Sequence, residues 1–342
     1  MGKKEEKNTQ NEMSEGIFSG VNLKQRIPQI VEEISKKTGF KPDQILSESS
    51  WWNESTGVGA FHFNGKYKGK DVVLKVQGVK PETSEIKMIE GFSDQNTSKV
   101  IRPPHLYYTL PWNDEKQYEA YILENVGLTT VVGLPTNEKQ VAEFFSLFQE
   151  YREKCRNKPW LKKPAKNISD LVDMRFKKWS EASIKVFPTH PLRLDGDKKI
   201  INKAVEILKS GYKDIDWEFQ HGHFSARDLF KVKGGVIVLS NLYWSWRTPY
   251  YDLIFGYHWF MYDLAEVKNI SPQKIEDQRK VWLDQIDKLG KDKKLLKLAL
   301  LERAAAGLNL DALSVNTISP VAEHLVKQTR KITNELIQEL SG

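Results

Sequence analysis

The sequence predicts an α+β protein with two lobes: a small antiparallel sheet with one helix packed on it, and then a larger, mainly helical lobe. Two observations lead to this expectation. Alternating and β-branched residues are prominent within the first 126 positions, whereas helical patterns dominate after Gly127. The chain has 342 residues, of which 39% are hydrophobic, so it is long enough for two lobes and can bury a real core.

The first lobe is expected over residues 23–126, after a tail over residues 1–22 that is polar, low in apolar content and therefore expected to be disordered. Its first element is a short amphipathic helix that ends at Gly39, because glycine is a common stop signal. The apolar residues that fall at helical spacing in this segment are Ile27, Ile30, Val31 and Ile34.

Strands follow this helix. Over residues 57–78 the pattern changes to alternating and β-branched residues, and Asn64-Gly65 and Lys68-Gly69 are expected to form tight turns between strands. The stretch PETSEIKMIEGFSD then predicts a helix, and HLYYTL and YEAYILENVG supply two further strands.

The second lobe is expected over residues 127–342, where helices dominate and one β-rich insert, LFKVKGGVIVLSNLYW, interrupts them. Ser271-Pro272 and Ser319-Pro320 each combine a capping residue with a proline, which is typical of a helix start. Apolar residues then share one face of the helix that Gly290 ends.

Composition narrows the class of protein. No window approaches the roughly 20 uninterrupted apolar residues of a membrane helix, and the N-terminus lacks the apolar run of a signal peptide, so we expect a cytoplasmic protein without membrane contact. A single cysteine, Cys155, excludes an internal disulfide and a cysteine-based metal cluster.

The net charge of +7 comes from 52 basic and 45 acidic residues spread along the chain. This pattern describes a solvated surface, so nucleic acid is not the expected partner, while anionic small ligands fit the charge.

The first lobe contains, in order, the three features that a nucleotide-phosphate site needs. Gly57 and Gly59 lie between two predicted strands, Lys75 lies on the next strand, and Glu85 opens the following helix. Glycines let a backbone approach phosphates, and a lysine paired with a helix glutamate holds its ammonium toward them. Taken singly, the glycines fit a hairpin turn, Lys75 a strand-edge charge and Glu85 a helix surface. Their order and spacing together favour the nucleotide site.

The segment LENVG, which ends the last strand of this lobe, then predicts a hinge. There the backbone of Glu124 and Val126 would hydrogen-bond an adenine edge, so ATP or a related nucleotide is the expected cofactor.

The stretch QHGHFSARD carries the most specific resemblance. The sequence resembles the aminoglycoside phosphotransferase and choline kinase-like family, which has the bilobal protein kinase-like fold, over roughly residues 40 to 310. The catalytic loop of that family reads His-Gly-Asp, four residues, Asn. This chain has His221, Gly222 and His223, then four residues, then Asp228.

The resemblance extends to a second motif downstream. The family has a strand that ends in a metal-binding Asp, then a Pro and a Tyr-Asp-Leu that opens a helix. This chain keeps Pro249 and Tyr251-Asp252-Leu253. Counting back from Pro249 puts Ser240, with Asn241 beside it, where the metal-binding Asp belongs.

The departures from the family fall on the chemistry. The family's loop Asp accepts or orients the substrate proton, and its Asn and downstream Asp hold Mg²⁺. Here His223, Asp228, and Ser240 or Asn241 stand at these three positions, so one carboxylate is left and Mg²⁺ binding is expected to weaken. His221, like the Asp of the Tyr-Asp-Leu stretch, matches a family position that holds the loop backbone in place.

The sequence therefore favours a pseudokinase: a kinase-fold protein that binds nucleotide weakly, or that acts as a regulatory or binding module for a small-molecule or protein ligand. The alternative is an active ATP-dependent phosphotransferase for a small-molecule hydroxyl or amine, with His223 as base and Asp228 as the Mg²⁺ anchor. The aromatic segment with Trp244 and Trp246 either packs in the core or lines the cleft, and the pattern leaves the same choice for Trp51 and Trp52.

Overall fold

The computed structural model shows an α+β protein, as the sequence predicts, and its chain divides into two compact units. The first unit is Met1–Thr129 with Phe230–Leu242, and the second is Thr130–Leu229 with Tyr243–Gly342. Within these units the structure describes residues 21–48, 59–78, 84–155, 159–186, 188–238, 244–265, 267–309 and 319–341.

The first unit is built on a five-stranded antiparallel sheet with the strand order β1-β2-β3-β6-β5. A small three-stranded sheet, ordered β4-β9-β8, accompanies it, and β4 and β9 in it are parallel. The strands are β1 (Lys41–Glu48), β2 (Ala60–Tyr67), β3 (Lys70–Gln77), β4 (Ile101–Arg102), β5 (Leu106–Asn113), β6 (Tyr118–Glu124), β8 (Leu229–Val232) and β9 (Gly235–Val238).

The first helix, α1 (Ile27–Thr38), packs on one face of this sheet. Its apolar stripe is buried together with alternate residues of β3, and the stop signal is confirmed because Gly39 adopts a left-handed conformation with φ of 77°. The second helix, α2 (Glu85–Gln95), also forms where the sequence predicts one. The side chains that form the core between α1 and the sheet include Ile27, Ile30, Val31, Ile34, Val72, Leu74 and Val76.

Only one of the two expected turns is a turn. Lys68 and Gly69 have φ values of 50° and 79° and connect β2 to β3, as predicted. The prediction at Asn64-Gly65 is wrong, because both residues lie inside β2. The neighbouring chain leaves no room for a side chain at Gly65. A Cβ at this position would lie 2.3 Å from the carbonyl oxygen of Lys41 and 2.6 Å from the Phe40 ring.

Helices form most of the second unit, and its core is rich in aromatic rings. The Tyr151 ring stacks on Phe224 with centroids 4.5 Å apart, and Phe144 lies 5.1 Å from Trp282. Two short strands, β7 (Glu218–Gln220) and β10 (Ser245–Arg247), pair antiparallel. The helices are α3 (Glu138–Glu150), α4 (Ile168–Val186), α5 (Asp197–Gly211), α6 (Tyr251–Ala265), α7 (Pro272–Leu289), α8 (Lys293–Asn309) and α9 (Pro320–Ser341).

Both predicted helix starts of this unit are confirmed. The Ser271 hydroxyl accepts a hydrogen bond from the amide of Lys274 at 3.2 Å, and the Ser319 hydroxyl accepts one from Ala322 at 3.1 Å. A π-helical turn, Tyr151–Cys155, continues α3. In the part of the chain that the structure describes, no helix is both long and apolar enough to cross a bilayer.

Candidate functional site

Lys75 and Glu85 form a tight ion pair in the first unit. Strand alternation turns Lys75 to the face of β3 opposite the core residues that pack on α1, and Glu85 is the first residue of α2. The Lys75 Nζ lies 2.6 Å from the Glu85 Oε2, and the two side chains are only 10% and 15% exposed. The ammonium also lies 5.8 Å from the centre of the Tyr121 ring. The sequence thus identified both residues of an ion pair that is largely shielded from solvent.

A second polar cluster on the same face was not foreseen. Glu119 on β6 is fully buried, and its carboxylate accepts hydrogen bonds of 2.6 Å from the Gln77 amide and from the Ser84 hydroxyl. Burial raises the pKa of Glu119, and the hydrogen bond from Ser84 opposes that rise. The available signal was a glutamate inside the apolar run of YEAYIL, where an unpaired charge would be costly.

The predicted hinge lies at the end of β6. The Glu124 carboxylate accepts two hydrogen bonds from the Arg102 guanidinium, at 2.7 and 2.9 Å, while its backbone amide donates to the carbonyl of His105. Burial acts to raise the pKa of Glu124, but the bonds from Arg102 and from the His105 amide outweigh it and hold that pKa below its usual value. Val126 follows, half-buried, and Gly127 turns the chain with φ of 71°.

The glycine loop is described only at its end. Gly59 directly precedes β2 and its carbonyl accepts a long hydrogen bond, 3.5 Å, from the amide of Gly78. Gly57, Trp51 and Trp52 lie outside the described residues.

In the second unit, Asp252 holds the backbone of the loop that resembles a catalytic loop. It lies at the start of α6, and its two carboxylate oxygens accept hydrogen bonds from the amides of His221, at 3.0 Å, and Gly222, at 2.8 Å. The Tyr151 hydroxyl donates to the same carboxylate, and the Gln220 side chain accepts from the amide of Asp252 at 3.0 Å. Gly222 has a φ of 78°, a conformation that glycine adopts without the strain a side chain would cause.

His221 lies at the centre of this arrangement and is fully buried. Its Nδ1 accepts a hydrogen bond of 3.2 Å from the His223 amide, so the neutral ring carries its proton on Nε2. The ring meets Trp244 edge to face, with centroids 5.6 Å apart. Burial lowers the pKa of His221 to about 3, against the opposing effect of the Asp228 carboxylate. His221 is therefore a neutral part of the loop's framework at physiological pH.

The loop brings His223 and Asp228 into contact. The Asp228 Oδ2 lies 3.0 Å from the His223 Nδ1 and accepts a hydrogen bond of 2.7 Å from the Ser225 hydroxyl. Asp228 is buried, whereas His223 is partly exposed and packs on the Phe255 ring at 4.6 Å. The Asp228 carboxylate thus orients the His223 imidazole through its Nδ1 atom.

The expected metal position cannot be completed from these residues. Ser240 and Asn241 lie outside the described residues. Within the described ranges, no group of three or more His, Cys, Asp or Glu side chains is placed to hold a metal ion. Asp228 contributes one carboxylate whose Oδ2 already binds Ser225 and contacts His223. That donor set does not by itself fit Mg²⁺, which needs several hard oxygen ligands in octahedral geometry.

The aromatic segment after this position packs in the core of the second unit. Trp244 is fully buried and touches Trp160 and Phe219, with ring centroids 5.1 and 5.6 Å away. The Trp246 indole donates a hydrogen bond of 3.0 Å to the carbonyl of Leu161. Of the two interpretations that the sequence left open, core packing is the one these contacts support for Trp244, whereas Trp246 is only half-buried.

Comparison with solved structures defines the fold. The chain has the protein kinase-like fold of the aminoglycoside phosphotransferases and choline kinases. It aligns with the aminoglycoside phosphotransferase APH(4)-Ia over 91% of this chain and 98% of that one, with a TM-score of 0.56 and 11% identity. For the choline kinase from Cryptosporidium parvum the coverage is 91% and 97%, the TM-score 0.52 and the identity 12%.

A third similar structure is amicoumacin kinase hAmiN, solved in complex with AMP-PNP, Ca²⁺ and Ami. The alignment covers 90% of this chain and 93% of that one, with a TM-score of 0.50 and 9% identity. No protein-family model matches the sequence, and neither does any curated protein. At these identities the comparisons establish the fold alone.

Proposed function

We propose that this chain is a pseudokinase: a kinase-fold protein that binds nucleotide weakly through its first unit and has lost efficient phosphoryl transfer. The observation that carries the proposal is the environment of Asp228. Its carboxylate is engaged by His223 and Ser225, where the resembled family uses an Asn as a metal ligand and keeps the preceding Asp for the substrate proton. Phosphoryl transfer depends on positioning and on charge stabilisation by metal ions, so depleting the metal ligands removes the larger contribution.

The retained Lys75–Glu85 pair supports nucleotide binding. A lysine ammonium held 2.6 Å from a helix carboxylate is the cation that such folds present to the α- and β-phosphates. The structure of amicoumacin kinase contains a nucleotide analogue, so the fold accommodates such a ligand. Gly57 and Gly59 would cover the phosphates, and the backbone of Glu124 and Val126 would meet the adenine edge. Because the cation belongs to the protein, binding should depend little on Mg²⁺.

A thermal-shift series tests this proposal. ATP and ADP are titrated with and without Mg²⁺ against the wild type and Lys75→Met, which removes the ammonium but keeps a similar length. The wild type should show a small stabilisation at high nucleotide concentration that is nearly the same in both buffers, and Lys75→Met should lose it. Stabilisation that appears only with Mg²⁺ would favour an active kinase, and none in either buffer would refute nucleotide binding.

The His223–Asp228 contact favours one alternative function. A carboxylate that holds an imidazole by its Nδ1 is the arrangement in which histidine serves as a general base, so this chain could also be an active ATP-dependent phosphotransferase. His223 would then accept the proton of a small-molecule hydroxyl or amine, with Asp228 as the Mg²⁺ anchor. ATP turnover that His223→Ala abolishes would support this alternative over the pseudokinase.

We also propose that the protein acts in the cytoplasm and that its ligands are a nucleotide together with a small molecule or a protein. The 52 basic residues are interspersed with 45 acidic ones along the chain. The sequence has no concentrated basic arm of the kind that binds nucleic acid. Fractionation of cells that carry a tagged full chain tests the location, and recovery in the membrane fraction would contradict it.

A further inference from the structure

A buried carboxylate lies at the first turn of α2, the helix that carries Glu85. Two donors converge on Glu119: the Gln77 side-chain amide and the Ser84 hydroxyl, both at 2.6 Å. None of the Glu119 surface is exposed. A carboxylate kept in such a place, with its hydrogen bonds satisfied, fixes the groups around it in one arrangement.

The N-cap residue of α2 bonds to a neighbouring strand instead of to its own helix. Ser84 occupies the N-cap position of α2, but its side chain makes no capping bond to its own helix and donates to Glu119 instead. The first amides of a helix lack partners within the helix and carry a partial positive charge, so an acceptor is required there. The Glu119 carboxylate on β6, bonded to the N-cap residue Ser84, lies at this end of the helix.

Glu119 is also adjacent in the sheet to the residues that surround the Lys75 ammonium. In the β3–β6 register Gln77 lies opposite Glu119, and Lys75 lies opposite Tyr121, two residues further along the same face. The strand pair that positions Lys75 therefore also positions the carboxylate that holds the start of α2. Lys75 and Glu85 are therefore both positioned by the β3–β6 strand pair.

We propose that Glu119 is a positioning residue that fixes the first turn of α2 and so holds Glu85 against Lys75. This inference rests on the proposed nucleotide-binding role of Lys75. Glu119 itself contacts no ligand in this proposal. It acts through Ser84, the residue before Glu85, and its loss would release the carboxylate that aims the ammonium.

Two substitutions at the site separate this role from general stability. Glu119→Met keeps the length of the side chain and removes every acceptor, whereas Glu119→Gln keeps one acceptor. In the glutamine variant, the Gln77 side-chain amide would turn over so that its oxygen accepts from the new NH₂ group. The new carbonyl would then accept the hydrogen bond from Ser84. Glu119→Gln should therefore behave nearly as wild type, which a requirement for the buried charge itself would not allow.

The readout is the rate at which an amine-reactive acylating reagent labels Lys75 in the full chain, measured by mass spectrometry. Release of Glu85 exposes the Lys75 ammonium, so Glu119→Met should raise the rate by about tenfold and Glu119→Gln by less than about twofold. Ser84→Ala, a milder change at the same contact, should raise it by about threefold and keeps the test available if Glu119→Met fails to fold.

Asn96→Ala is the matched control at the other end of α2. It removes the hydrogen bond of 2.6 Å from the Asn96 side-chain NH₂ group to the carbonyl of Ile101 and leaves Glu85 unchanged. Lys75 labelling should therefore stay at the wild-type rate. A wild-type rate in both Glu119→Met and Ser84→Ala would overturn the positioning role. An equal rise in Asn96→Ala would overturn it as well, because loosening of the whole helix would then be the cause.

Binding of ADP without metal, measured on the same variants, separates the two proposals. If the wild type binds no ADP while labelling responds to Glu119→Met as expected, the nucleotide function fails and the positioning of Glu85 stands. If the wild type binds ADP and labelling does not respond, the positioning role fails and the nucleotide function stands.

Discussion

Acid should destabilise the second unit through His221. This ring is fully buried among Trp244, Phe224 and Tyr151, and burial lowers its pKa from 6.5 to about 3. In the unfolded chain the same ring takes up a proton below pH 6.5, so the stability that the neutral ring allows is present above that pH and is lost as the pH falls toward 3.

The two pKa values set the size of the effect. Proton uptake by this ring in the unfolded chain should lower the free energy of unfolding by about 2 kcal/mol between about pH 7.5 and about pH 5, and by about 3 kcal/mol near pH 4. His221→Asn removes the titrating ring but keeps an acceptor for the His223 amide. The variant will be less stable than the wild type at neutral pH because it leaves a cavity beside Trp244. Its loss of stability between the two pH values should be smaller by the same 2 kcal/mol or so.

Urea unfolding followed by tryptophan fluorescence, at about pH 7.5 and about pH 5, measures this difference. His324→Asn is the control, because it removes a less buried histidine, whose Nε2 lies 3.0 Å from Glu276, and should leave the acid destabilisation in place. An acid destabilisation in His221→Asn as large as that of the wild type would refute the assignment of a buried neutral ring.

Three further substitution experiments have definite expected outcomes. Asp252→Asn should cost about 2 to 4 kcal/mol in urea unfolding, because one of the two loop amides then faces an NH₂ group instead of an acceptor. Gly65→Ala should cost about 1 to 3 kcal/mol, since its Cβ would overlap the neighbouring strand, and an unchanged melting temperature would contradict the close approach. Combining His223→Asp, Asp228→Asn and Ser240→Asp should add about 1 to 3 kcal/mol of Mg²⁺-dependent ATP affinity by calorimetry, and no gain in a folded variant would contradict the alignment at Ser240.

Local chemistry made much of the fold predictable. Helix α1 follows from apolar spacing and a glycine stop, and the Lys68-Gly69 turn follows from residues that tolerate positive φ. Asn64-Gly65 has the same local signature, yet Gly65 lies inside a strand because Phe40 and Lys41 approach it closely. That approach depends on a strand about twenty residues earlier, so local patterns could not distinguish the two glycines.

The candidate site divides in the same way. Lys75 and Glu85 could be found because their order along the chain matches a known arrangement, and the structure joins them. Glu119 could not, because its partners Gln77 and Ser84 lie 42 and 35 residues away and meet it only through the β3–β6 register. A single sequence shows that a buried charge is present but not which donors satisfy it.

Calorimetric titration of ATP, with and without Mg²⁺ and alongside an assay of ATP turnover, tests the central claim most directly. The pseudokinase proposal predicts weak binding that changes little with Mg²⁺, that is lost in Lys75→Met, and that is accompanied by no turnover above a protein-free control. Tight binding that requires Mg²⁺, together with turnover that depends on His223, would contradict it.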